Sequence, residues 1–172
     1  MLDGSKMAIN PTELDLKEET LIRISRVAKV VTGGRRFGFN SIVAVGDGHG
    51  HVGIGFGKAN EVASAISKAR ENAKKNLFRT PVINGTLPHA ITAKFGASHV
   101  MLKPASPGTG LIASAPVRAV LEQAGYTDVL TKCTGSTNAL NVVRATKKAL
   151  QSLRDAIEIA RKRGVTVKEL FN

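Results

Sequence analysis

Tryptophan is absent from this 172-residue sequence, tyrosine occurs once and phenylalanine six times, so any core must be assembled from valine, isoleucine, leucine and alanine. Cysteine also occurs once, which excludes an internal disulfide; Cys133 is expected to serve core or strand packing. No stretch approaches the roughly 18–20 apolar residues of a membrane span, and Met1 to Asn10 lack the apolar run of a secretory signal, so a soluble, unexported protein with no membrane partner is expected. Acidic residues are scarce as well: 13 Asp and Glu stand against 25 Lys and Arg, a formal charge of +12. An excess of that size implies a polyanionic partner.

The positive charge is unevenly distributed. Residues 1–20 hold two basic and five acidic side chains, whereas residues 21–79 hold eleven and three. Residues 1–15 are therefore expected to form a flexible acidic leader, with the cationic surface beginning beyond it.

Leu21 to Val27 alternate partially, with Arg23 opposite Ile22 and Ile24, as a half-buried strand requires. Thr32-Gly33-Gly34-Arg35-Arg36 interrupts the pattern as a basic hairpin loop, after which Phe37, Phe39 and Ile42 to Val45 resume it. Gly46 to Gly50 make a second turn. In the third strand Val52, Ile54 and Phe56 alternate with Gly53, Gly55 and Gly57, leaving one face without side chains. Such a face admits an RNA phosphate chain or the following helix, and the helix is the favoured occupant. From Glu61 to Phe78 the apolar residues Val62, Ala65, Ile66, Ala69, Ala73 and Leu77 recur at helical spacing, with Lys68, Arg70, Lys74 and Lys75 elsewhere on the surface. Three antiparallel strands followed by a helix make the later part of a double-stranded-RNA-binding module, expected over residues 16–80.

Residues 81–88 read as a turn-rich linker. Beyond it, residues 89–153 read as a ββαβα unit: strands over Ala90–Phe95 and Ser98–Lys103, a Pro- and Gly-rich loop over residues 104–110, and a helix capped by Ser114 and stopped by Gly125. A strand from Asp128 and a helix capped within Ser136-Thr137-Asn138 complete it. Residues 154–172 form an appendage. The fold class is accordingly α+β.

Several glycine motifs fail on context. Gly48 to Gly53 match a dinucleotide fingerprint but lead into a strand, and Gly57-Lys58 lacks both the preceding glycine and the hydroxyl residue of a P-loop. Gly108 to Ala113 precede a helix and have Asp128 about twenty residues on, which makes a nucleotide-dependent enzyme the alternative reading. Pro104 and Pro107 disrupt the required turn, however, and Asp128 opens its strand instead of closing it. His49 and His51 lack partners to complete a metal shell and are expected to be exposed or RNA-facing, so neither metal nor cofactor is expected. The sharpest feature is the loop Lys29 to Arg36, whose glycines allow the main chain close to phosphates that Lys29, Arg35 and Arg36 would neutralise.

Five segments, taken in order, resemble one family. They are Arg26 to Arg35, Val45-Gly46-Asp47-Gly48, Val52 to Ala59, Pro104 to Gly110 and Gly135-Ser136-Thr137-Asn138. The family is the bacterial small-subunit ribosomal protein family numbered five, and the resemblance runs from about Leu16 to Phe171. It implies a non-catalytic, cytoplasmic protein of the small ribosomal subunit, bound to 16S ribosomal RNA where head meets body. It further implies a part in decoding accuracy with proteins numbered four and twelve, and a place near the channel by which messenger RNA enters. Neighbours would be proteins four and eight, with no homo-oligomer. By position, Arg26 to Arg36 resemble the segment reaching head RNA close to where spectinomycin binds. RNA contacts are expected at Arg23, Arg26, Lys29, Gly33, Gly34, Arg35, Arg36, Lys58, Lys103, Ser136, Asn138 and Arg144, and Gly110 with Arg118 would face protein four.

Overall fold

A computed structural model describes residue 11 and residues 14–170, so most of the leader expected over residues 1–15 lies outside the described residues. Alternation in the first third of the chain builds β1 (Thr20–Val31), β2 (Gly34–Gly46) and β3 (His51–Ala59). They pair antiparallel, and Val31 faces Gly34 across the hairpin turn. Gly34 has φ +131°, a conformation that disfavours any side chain. Helix α1 (Val62–Lys75) follows.

The sheet has four strands, where the sequence predicts three. The helix ends at Lys75 and not at Phe78, and Leu77–Arg79 form β4, which pairs with β3. Leu77 lies four residues beyond Ala73 and so continues the helical stripe, which is why periodicity alone carries the helix too far.

The bare face of β3 lies under α1. A Cβ on Gly53, Gly55 or Gly57 would overlap the backbone carbonyl of Ala73, Ala69 or Ala65 respectively. Helix and strand thus approach to backbone contact, glycine against buried alanine, and Ser41 Oγ donates to the Ala65 carbonyl at 2.7 Å. This is the helix reading of that face.

The second unit comprises β5 (Ile91–Phe95), β6 (Ser98–Pro104), β7 (Leu111–Ile112), α2 (Ala115–Ala124), β8 (Val129–Gly135) and α3 (Ala139–Gln151), with strand order β5-β6-β8-β7. The predicted ββαβα pattern therefore gains a strand. β7 pairs parallel with β8 over two residues, too short to leave a periodic signature. Helices α4 (Ala156–Arg163) and α5 (Val167–Leu170) follow.

Burial is shared between the units. Val43 and Val45 of β2 join Ala69 and Ala73 beneath α1, while Ile42, Ala44, Val52 and Phe78 on the other face enter one core with Val117, Val120, Leu121 and Ala124 of α2. The N-terminal sheet is thus covered on both sides. The turn after β2 is pinned there too: Gly48 and Gly50 N–H donate to the carbonyls of Gln123 and Ala124, and the Gln123 side chain reaches Thr20 Oγ1 at 2.8 Å.

Tyr126, the sole tyrosine, closes this junction. Its buried hydroxyl lies 2.8 Å from Thr80 Oγ1 and donates to the Pro81 carbonyl at 2.8 Å. Tyr126→Phe leaves those oxygens short of a partner and is expected to cost about 1–3 kcal/mol. Burial pushes the phenol up to about 12, against the opposing Thr80 hydrogen bond. The folded state therefore keeps the proton to higher pH than an unfolded tyrosine, at about 10. That contribution is complete below about pH 10 and is lost as pH rises towards about 12. Urea midpoints across this window should fall more steeply for the parent chain than for Tyr126→Phe.

Candidate nucleic-acid interface

From Thr20 to Gly46 the chain contains five basic residues and no carboxylate. Strands β1 and β2 place these residues on a two-stranded arm whose register sets Lys29 opposite Arg36 and Val30 opposite Arg35. Residues 32–37 are all exposed. Neither Gly33 nor Gly34 has any atom within 4 Å of where a Cβ would stand, so the turn is open to an approaching backbone.

Among the described residues Arg70 pairs with Glu19 and Lys162 with Glu158, and His51 is hydrogen-bonded to Asp47. None engages the arm, so its charge is left for an external anion. The Arg70 guanidinium holds the Glu19 carboxyl below its ordinary range, which marks that pair as part of the protein's own packing.

Two grooves gather the predicted contact residues. The first, of about 400 Å³, is lined by Lys29 and Arg36 from the arm, Lys58 from the end of β3, Asn60 beyond it, and Lys68 from α1. The second, of about 260 Å³, lies between the two units and brings Arg23 and Ser25 of β1 and Asn40 of β2 to Asn138 at the start of α3. Asn40 Oδ1 is buried there without a partner. Arg144 lines a neighbouring cleft with Asn72 of α1 and Asn76 just beyond it, its guanidinium 5.3 Å from the Phe95 ring centroid.

Other predicted residues are differently employed. Asn138 Oδ1 caps α3, accepting from the N–H groups of Leu140 and Asn141, and Ser136 Oγ accepts from the Asn138 N–H. Lys103 is exposed near the end of β6, opposite Leu130 and outside all three clefts. Arg118 Nη2 donates to the carbonyls of Leu111 and Ala113, which holds it beside Gly110 on one side of the molecule. Ser114 stands at the start of α2 but does not cap it with its side chain, because its hydroxyl lies 3.3 Å from Cys133 Sγ. His51 is tied to buried Asp47 through Nδ1 at 2.6 Å, where an exposed or RNA-facing residue was expected. Burial works to raise the Asp47 pKa, but hydrogen bonds from His49 and His51 outweigh it and hold the carboxyl below the usual range.

Sequence reasoning overlooked the partners of the basic residues. Lys68 reads only as part of a solvated helix face, and Phe37 and Phe56 read only as strand residues. Yet both rings are exposed and line grooves, and the Arg26 guanidinium lies 3.7 Å from the Phe37 centroid. A phenylalanine directly after two arginines in an acid-free segment is the signal that could have found Phe37; nothing comparable marks Phe56 or Lys68.

The nucleotide alternative fails on the same geometry. Asp128 Oδ1 accepts the Gly110 N–H at 2.8 Å and Oδ2 accepts from Thr127 Oγ1, so the carboxylate fastens the loop instead of facing a ribose. The Gly110 N–H, followed by Thr127, holds the Asp128 carboxyl below its ordinary range.

The fold and its charge define the class: a two-sheet α+β protein whose most developed surface is cationic, acid-free and edged by aromatic rings. The sequence models for "Ribosomal protein S5, N-terminal domain" and "Ribosomal protein S5, C-terminal domain" match residues 17–81 and 93–163. The chain is 54% identical to small ribosomal subunit protein uS5 of Chloroflexus aurantiacus over 163 residues, 95% of this chain and 91% of that protein. It is 54% identical to uS5 of Salinibacter ruber over 90% of this chain and 88% of the relative, and 51% identical to uS5 of Syntrophobacter fumaroxidans over 95% and 98%. The chain belongs to the ribosomal protein S5 family. Proteins of this family are structural components of the ribosome, and the chain is not an enzyme.

Proposed function

We propose that the protein is a cytoplasmic, structural constituent of the small ribosomal subunit that binds 16S ribosomal RNA and steadies the head against the body. The single observation that carries RNA binding is the arm of β1 and β2, which holds five basic residues and no carboxylate, none of them in an ion pair among the described residues. Residues 16–80 and 89–153 act as two RNA-facing units joined through residues 81–88, with residues 154–172 as an appendage. Lys29, Arg35 and Arg36, with the open turn at Gly33 and Gly34, reach head RNA near the spectinomycin site. Arg26, Lys58, Arg23, Arg144 and Lys103 extend the contact across the body of the protein, with Ser136 and Asn138 at the start of α3.

Gly110 and Arg118 share one side of the molecule, which supports the reading of that side as the contact with protein four. Protein eight is the other neighbour, and the location lies near the path of incoming messenger RNA. Through these contacts, with proteins four and twelve, the protein contributes to decoding accuracy. Sedimentation of a cell lysate through sucrose gradients at moderate and high salt tests the placement. The protein should travel with the small subunit at moderate salt; recovery only among free proteins at the top of the gradient would refute it.

A further inference from the structure

Where β1, β2 and β3 end beside α1, the first groove combines two kinds of surface. Four elements each contribute one cation to it, Lys29, Arg36, Lys58 and Lys68, and no carboxylate is among its lining residues. On the same groove Phe37 is 49% exposed, and Arg26, itself outside the lining, braces the ring at 3.7 Å. A lone exposed phenylalanine is ordinary. One held by a guanidinium at the edge of a cationic concavity has a defined orientation and a defined electrostatic setting.

A phosphate backbone accounts for the cations but has no use for the ring. A duplex would present a convex row of phosphates spread over about 16 base pairs, with its bases stacked inside and out of reach of Phe37. An unpaired nucleotide satisfies both features, since its base has a free face for stacking and its flanking phosphates can turn into a concave site. Resting on the RNA-binding reading above, we propose that this groove holds an unpaired RNA nucleotide. The base stacks on Phe37 and the neighbouring phosphates lie among Lys29, Arg36, Lys58 and Lys68. The preferred ligand is a bulge or loop and not a continuous helix.

The test uses the full-length chain and two short RNA hairpins whose strands are joined by a non-nucleotide linker in place of a loop, one with a single bulged 2-aminopurine and one with an uninterrupted stem. The bulged hairpin should bind about tenfold more tightly, and its 2-aminopurine emission should fall on binding, because stacking on an aromatic side chain is worth about 1–3 kcal/mol per base. Phe37→Leu should weaken the bulged hairpin by about tenfold, to the affinity of the uninterrupted stem, and abolish the emission change. Its affinity for the uninterrupted stem should stay unchanged, and Phe37→Tyr should restore the preference. Lys68→Gln should weaken both hairpins alike. Equal binding of the two hairpins by the parent chain, with no emission change, overturns the inference while leaving RNA binding intact. Binding of neither removes both. The emission change of the parent chain requires no variant, and matching unfolding midpoints establish that Phe37→Leu is folded.

Discussion

Replacing Gly55 by valine is expected to lower the stability of the protein by about 3 kcal/mol or more. The cause is steric and local. A Cβ at this position would overlap the Ala69 carbonyl and stand 2.5 Å from the Ala73 nitrogen, so it meets backbone on two successive turns of α1 and no movable side chain. The helix must lift from β3, and Ala65, Ala69 and Ala73, now fully buried, would lose their cover. Because a domain of this size is stable by only about 5–15 kcal/mol, a loss of this size should appear as a large fall in the urea midpoint. Gly33→Ala is the control: it has nothing within 4 Å and no positive φ, and it should be nearly silent. A Gly55→Val chain that unfolds with the parent midpoint would mean that α1 does not lie on this strand.

The second large effect concerns RNA. Changing Lys29, Arg35 and Arg36 together to alanine removes three exposed cations that no carboxylate engages among the described residues. Counterion release makes the logarithm of affinity fall with the logarithm of salt by about 0.7–0.9 for each phosphate neutralised. The triple variant should therefore show a slope shallower by about 2 to 3 and bind ribosomal RNA roughly 100-fold less tightly at about 0.1 M salt. The register of β1 and β2 extends well past these residues into the sheet, so the unfolding midpoint should hardly change. An unchanged salt slope would mean that the arm touches no phosphate.

Much of this molecule is legible in its sequence because each feature depends on neighbours along the chain. The hairpin at Thr32-Gly33 follows from glycines between alternating segments, and the buried stripe of Val117, Val120, Leu121 and Ala124 follows from helical spacing ended by Gly125, whose φ is +89°. The cap of α3 at Asn138 is equally local. The bare face of β3 is nearly so: alternate glycines announce close approach, and the small residues of α1 suggest what approaches.

The misses share a different cause. β4 and β7 are short strands whose identity lies wholly in their partners, β3 and β8. His51 reads as a solvated turn residue until Asp47 is seen to be buried beside it. Asp128 fits a ribose-binding acid by spacing alone, and only the fold shows its oxygens occupied by Gly110 and Thr127.

By itself, then, the sequence determined the charge, the α+β class, the order of most elements and the acid-free arm, since composition and short-range periodicity are properties of the chain. The tertiary structure alone decided that the N-terminal sheet is covered on both faces, that Lys68 of α1 joins Lys29, Arg36 and Lys58, and that Phe37 stands braced at their edge. Those juxtapositions bring together residues from separate elements, and only the packing of one element on another places them within reach.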